Sequence, residues 1–219
     1  REMPSSSLIA QAENILACIQ ILRILDHENR QPTSEERQAL MSFPGFGPIA
    51  IYIFPDPITG KFRTPRWQTL GGQLLDLLSA QEYSHAKKTV TTAYFTPPTI
   101  AQWMYQALTK LGLPPDALGL EPGFATGRFF AAASSPGLRF VGVEIDPLSA
   151  RIAKALYPQH DLRITDIRDA TLPPVDFCIG NVPFSEVSYP WEGQQLPLHA
   201  YCLAKSLCAL RPGGLLALI

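Results

Sequence analysis

Ala117-Leu118-Gly119-Leu120-Glu121-Pro122-Gly123-Phe124-Ala125-Thr126-Gly127-Arg128-Phe129 is the stretch on which the reading of this chain turns. An apolar run ends in an acid, small residues follow at 123, 125 and 127, and an apolar segment then resumes. Residues 117–121 read as a strand, and residues 127–133 open a helix. Small residues at the junction permit a tight turn and a close approach of backbone to a ligand. The start of the helix adds N–H groups with no partner inside the helix. An ordinary tight strand–helix turn has the same spacing, so this segment speaks to the fold before it speaks to function.

Working outward, the same alternation continues. Residues 140–144 read as a second strand, followed by a helix over 147–156. Residues 162–165 could form a third strand and 177–180 a fourth. A helix over 198–210 precedes Arg211-Pro212-Gly213-Gly214, which turns into a fifth strand. Upstream, residues 100–111 form an amphipathic helix. Alternating strands and helices imply an α/β fold, a parallel sheet with helices on both faces. Ligands of such sheets bind beyond the carboxyl ends of the strands, where the strand order reverses.

Residues 1–88 read differently, as a helical extension to a domain at 89–219. Leu8, Ala12, Ile15, Leu16, Ile19 and Leu22 recur at helical spacing. Thr33-Ser34-Glu35-Glu36 matches a capping box, and that helix should stop near Pro44-Gly45-Phe46-Gly47-Pro48. The apolar run 49–54 could form a strand, and Asp56-Pro57-Ile58-Thr59-Gly60 marks a loop. A helix is expected over 70–78, with Ser79-Ala80-Gln81-Glu82 capping another.

The chemically informative residues fall at the predicted strand ends. Glu144, in Val143-Glu144-Ile145-Asp146-Pro147, could accept from both ribose hydroxyls of a nucleoside cofactor, or stand as a solvated loop acid. Asp146 looks like the N-cap of the next helix, with Pro147 at its first position. Asp166 could accept from the amino group of an adenine ring, with Ile145 and Ile167 packing near it. Strand four ends in Gly180-Asn181-Val182-Pro183-Phe184. The Asn181 side-chain oxygen and the Val182 carbonyl can both accept from one –NH2 group, and Phe184 can stack on the ring that bears it.

This set resembles the class I methyltransferases, and among them the amino-methyltransferases whose hallmark is Asn-Pro-Pro-Tyr/Phe. The resemblance implies a Rossmann-like sheet, incomplete at the carboxyl terminus, and S-adenosyl-L-methionine as cofactor. Tyr94-Phe95-Thr96-Pro97-Pro98 resembles the motif that closes over the methionine part of that cofactor. Glu121, Pro122, Gly123, Ala125 and Gly127 match the cofactor loop, Glu144 the ribose ligand, and Asp166 the adenine ligand. The catalytic set is Asn181, Val182, Pro183 and Phe184. Ala125 stands where many relatives have Gly, and Val182 replaces the first Pro of the hallmark. Arg128 and His199 have no role assignable from chemistry and are read as structural.

Asn14-Ile15-Leu16-Ala17, Glu35-Glu36, Gly45-Phe46-Gly47 and Glu82-Tyr83 resemble the methylase part of large helicase–methylase fusion proteins of phages and plasmids. That resemblance implies methylation of the adenine N6 amino group in DNA, with the base flipped from the duplex, and a covalent continuation into a helicase region. The same slot serves RNA base amines and protein glutamine amides. A non-catalytic module of a defence protein is a further alternative. A plain NAD-binding domain fits least, since full GxGxxG spacing is missing.

Composition adds bounds. Lys plus Arg is 18 and Asp plus Glu is 19, giving a net charge of -1, which counts against a nucleic-acid binder. Cys18, Cys178, Cys202 and Cys208 show neither CxxC pairing nor zinc spacing, so no metal is expected and a reducing cytoplasm is. No apolar stretch is expected to span a membrane. The chain starts at Arg1, and Leu215-Leu216-Ala217-Leu218-Ile219 reads as a strand that would leave a bare edge. These ends predict a piece of a longer protein, or completion by a partner.

Overall fold

The computed structural model describes residues 5–88, 96–185 and 187–219. The chain forms two compact units, Arg1–Ala93 and Tyr94–Ile219. The expected boundary at 88/89 falls at the edge of the undescribed segment 89–95.

The first unit is helical: α1 (Ser5–Glu28), α2 (Ser34–Met41), α3 (Ala50–Ile53), α4 (Pro65–Leu77) and α5 (Ala80–Lys88). All six apolar residues that set the period of α1, from Leu8 to Leu22, are buried. Thr33 and Glu36 form the expected capping box at α2. Ser79 and Glu82 form a second one at α5, with Glu82 Oε2 2.9 Å from the Ser79 N–H. Thr64 caps α4 with Pro65 at its first position, so that helix starts earlier than residue 70.

Two expectations are corrected here. Residues 49–54 are not a strand but a 3-10 turn (Gly47–Ile49) running into α3. A strand would put Ile49, Ile51 and Ile53 on one face. The helical turn instead buries Ile49 and Ile53 and leaves Ile51 62% exposed. Aromatic contacts of Phe46 with Phe54 (5.5 Å) and Tyr52 with Trp67 (5.2 Å) hold it there. The second correction concerns apolar length. Ser7–Glu28, 22 residues with a stretch of mean hydropathy 1.5, is long and apolar enough to cross a membrane. In this structure its apolar face lies in the core of the first unit.

In the second unit α6 (Pro98–Lys110) precedes β1 (Leu118–Pro122), α7 (Arg128–Ala131), β2 (Arg139–Glu144), α8 (Pro147–Leu156), β3 (Asp161–Ile164) and β4 (Val175–Gly180). A hairpin, β5 (Ser188–Trp191) and β6 (Gln194–Pro197), then leads to α9 (Leu198–Ala209) and β7 (Leu210–Leu218). Five strands form one sheet in the order β3-β2-β1-β4-β7, every neighbouring pair parallel. The order reverses between β1 and β4, which places a crevice at their carboxyl ends.

The core explains the register. Phe140, Phe177 and Tyr105 are almost fully buried around β1. Gly119 sits between the first two rings, where a Cβ would overlap both. Asp146 caps α8 by accepting from the Ser149 N–H at 3.1 Å, as its position before Pro147 implies. The stretch 211–214 is not a separate turn before the last strand. It is absorbed into β7 as an irregularity, where pairing jumps from Val175↔Leu210 to Phe177↔Leu215. The hairpin at 188–197 has no counterpart in the sequence reading. Its tip, Glu192 at φ 47 and Gly193 at φ 82, has the left-handed pair of a tight hairpin turn.

Gly119→Ala should lower the unfolding free energy by about 1–3 kcal/mol, the usual cost of overpacking a filled core. Denaturant titration of both proteins measures this.

Candidate functional site

The crevice is built from the ends of three strands. Pro122 pairs with Val143, and Glu144 pairs with Ile164, so these strands end close together. Past β1 the chain turns sharply. Gly123 N–H donates to the Val143 carbonyl at 2.8 Å, and Gly127 N–H donates to the Phe124 carbonyl at 2.8 Å. Gly123, Ala125 and Gly127 all have positive φ, of 74, 47 and 84. Ala125 thus occupies a left-handed conformation that costs a residue with a Cβ about 1–2 kcal/mol. Gly127 is the N-cap of α7, and a Cβ there would meet Tyr157 and Phe130.

Glu144 holds this turn. Its Oε2 accepts from the Ala125 N–H at 2.8 Å and its Oε1 from the Asp146 N–H at 2.8 Å. One carboxylate therefore joins the turn after β1 to the loop after β2. The Ile145 backbone N–H adds to these donors, and a carboxylate with about four acceptor sites has room for a further one. Burial pushes the Glu144 carboxyl up to about 7, against the pull of its backbone donors.

Glu121 is 2% exposed, and its Oε2 has no hydrogen-bond partner among the described residues. Burial, with the nearby Glu144 charge adding to it, raises its carboxyl well above the ordinary range. An unmatched buried carboxyl oxygen costs about 1–3 kcal/mol.

Beyond β4, Asn181 Nδ2 donates to the Thr96 hydroxyl at 3.2 Å. Thr96 is buried. The bond engages one of the two amide hydrogens and fixes the plane of the carboxamide, whose oxygen is its acceptor. Val182 is buried, and its N–H donates to the Ile219 carbonyl at 3.0 Å. Pro183 lies against the cofactor-type turn: a Cβ on Gly123 would stand 3.3 Å from Pro183 Cδ. Phe184 is 64% exposed, with its ring 5.5 Å from that of His199.

The remaining predicted residues divide. Ile145 is 49% exposed at the end of β2, whereas Ile167 is buried beside Val143 and Val182. Asp166 is engaged. Arg168 donates to it from its backbone N–H at 2.9 Å and its guanidinium at 2.6 Å, which holds the carboxyl below its usual range. The same guanidinium lies 4.5 Å from the Tyr189 ring of the hairpin. Sequence reasoning missed Arg168, although its place two residues after Asp166 was a usable signal. Tyr94 lies outside the described residues. Arg128 is half-buried at the start of α7, and burial lowers its pKa.

No known protein-family model matches the chain. The type II methyltransferase M.XamI of Xanthomonas campestris pv. amaranthicola is 33% identical over 103 residues, 42% of this chain. The chain spans 19% of that relative's length. Among solved structures, the methyltransferase subunit of a type I restriction-modification system from Streptococcus thermophilus superposes with a TM-score of 0.50 and 16% identity. The match covers 72% of this chain and 44% of that one.

The chain has the class I methyltransferase fold. Within this fold, Glu121, Gly123, Glu144, Asn181 and Pro183 lie at or just past the carboxyl ends of β1, β2 and β4, about the strand-order reversal, with Thr96 bonded to Asn181.

The two raised carboxyls make stability depend on pH. Between an unfolded pKa of about 4.5 and their folded values, the folded chain binds more protons than the unfolded one, so stability falls as pH rises. His160, lowered by burial among aromatic rings from 6.5 to about 4, acts oppositely, and its effect is complete above pH 6.5. Unfolding free energy should therefore decline from pH 6.5 to 8 in denaturant titrations, and Glu121→Gln should flatten the decline. An equal slope in the variant would show that Glu121 is not protonated in the folded chain.

Proposed function

We propose that this chain binds S-adenosyl-L-methionine at the carboxyl ends of β1, β2 and β3 and methylates the N6 amino group of adenine in DNA. The observation that carries the reading is the Asn181–Thr96 bond of 3.2 Å at the end of β4, beside a turn where a Cβ at 123 would stand 3.3 Å from Pro183. It orients an acceptor next to the place where the fold binds its ligands. The 33% identity to a type II methyltransferase over 103 residues supports methyl transfer, and weakly supports DNA as the substrate.

The residues present fit the cofactor. Glu144 would accept from the ribose hydroxyls with its remaining lone pairs. The buried Glu121 oxygen would receive a donor it now lacks. Ile145 offers an exposed apolar surface to a purine ring. Asp166 would accept the adenine amino group by sharing or exchanging the Arg168 donors it now holds. When bound, the cofactor supplies an electrophilic methyl group on a sulfonium.

The chain's own work lies on the nucleophile. The adenine amino lone pair is delocalised into the ring. Asn181 Oδ1 and the Val182 carbonyl would accept its two hydrogens and favour the pyramidal form that attacks. Phe184, exposed beyond Pro183, would stack on the ring. Positioning and preorganised acceptors supply the gain, with no covalent enzyme intermediate. The target base must leave the duplex to reach the slot. The resemblance of residues 14–17, 35–36, 45–47 and 82–83 extends the reading to a methylase joined to a helicase region.

Calorimetric titration with S-adenosyl-L-methionine tests the cofactor half. The wild-type chain should bind one equivalent. Glu144→Ala should weaken binding at least about tenfold, since hydrogen bonds to a charged group contribute roughly 1.5–3 kcal/mol. Equal affinity in a folded variant would sink the assignment of Glu144.

A further inference from the structure

The slot has an exposed aromatic, Phe184, whose ring contact is with His199 on the next helix. Phe184 follows Pro183 and is 64% exposed, yet a stacking platform must present one face in a fixed direction. The ring beside it is His199, at a centroid distance of 5.5 Å and an interplanar angle of 34°. The two residues are brought together by the hairpin. Ser188 pairs with Pro197, and the Leu198 N–H donates to the Val187 carbonyl at 3.1 Å. The chain thus leaves the slot, makes β5 and β6, and returns to set the first turn of α9 against Phe184.

The hairpin is itself anchored. Tyr189 and Trp191 meet Tyr201 of α9 edge-on, at 5.9 and 5.2 Å. His199 is therefore delivered by a braced element rather than a free loop. The His199 Nδ1 is buried without a hydrogen-bond partner among the described residues, a cost that a phenyl ring would avoid.

Resting on the methyltransferase reading above, we infer that His199 is a positioning residue of the slot. Its flat ring backs one face of Phe184 and leaves the opposite face to receive the substrate ring. The role requires a flat ring and not merely volume.

The test compares wild type, His199→Ala, His199→Leu, His199→Phe, Phe184→Ala and the Phe184→Ala/His199→Ala double variant of the full chain. Two readouts are taken, S-adenosyl-L-methionine affinity by calorimetry and methyl transfer to an adenine-containing oligonucleotide at varied DNA concentration. All variants should bind the cofactor within about twofold of wild type. His199→Ala and His199→Leu should lose about tenfold or more in kcat/KM, mainly through KM for DNA. His199→Phe should recover to within about threefold, with a melting temperature equal to or above that of wild type. The double variant should be no worse than Phe184→Ala, as expected of two residues acting as a unit. Unchanged transfer in His199→Ala, equal activity of the Leu and Phe variants, or additive losses would each overturn the positioning role while leaving the methyltransferase reading intact. A wild-type chain that binds no cofactor or transfers no methyl group would overturn the reading itself, and this inference with it.

Discussion

The site depends on one close approach. β1 and β4 are neighbours in the sheet, and the chain leaves both at the same end. The turn after β1 and the loop after β4 must therefore share a small space. They do so with Gly123 facing Pro183, where a Cβ would have 3.3 Å to the proline ring and a backbone at φ 74 to contend with. Glycine at 123 brings the cofactor-type turn against the Asn181 loop. The sheet order dictates that these motifs meet, although 58 residues separate Gly123 from Asn181 in the chain.

Electrostatics then give the crevice its character. Two carboxyls stand at adjacent strand ends, and burial disfavours charge on both. They differ in what they hold. Glu144 spends its oxygens on two loop N–H groups and fixes the turn. Glu121 has an oxygen with no partner and stores the cost. Asp166 is different again, since Arg168 keeps it charged and links it through Tyr189 to the hairpin.

Much of the fold was legible because local signals agreed with the global pattern. The capping residues Thr33, Ser79 and Asp146 act where their spacing placed them, and alternating apolar segments became the strands of a parallel sheet. The misreadings share a cause: tertiary packing overrode local pattern. Apart from Ala50, residues 49–54 are β-branched or aromatic, but a helical turn buries both Ile49 and Ile53 and sets the Phe46 and Phe54 rings 5.5 Å apart. The hairpin was hidden by Pro190 and Pro197, which argue against strands in a central sheet and are tolerated in a two-stranded one. The motifs put Glu121, Glu144 and Asn181 at strand ends, and the structure has them there. They did not show the Arg168–Asp166 pair or the contact of His199 with Phe184, since those neighbours are brought close only by folding.

The central claim is that the crevice methylates an adenine amino group held by Asn181. The most direct measurement is mass spectrometry of nucleosides from DNA incubated with the chain and isotopically labelled S-adenosyl-L-methionine, for wild type and Asn181→Ala. The account predicts labelled N6-methyldeoxyadenosine from the wild type and its loss in the variant. Label on another base, or an equal yield from Asn181→Ala, would contradict it.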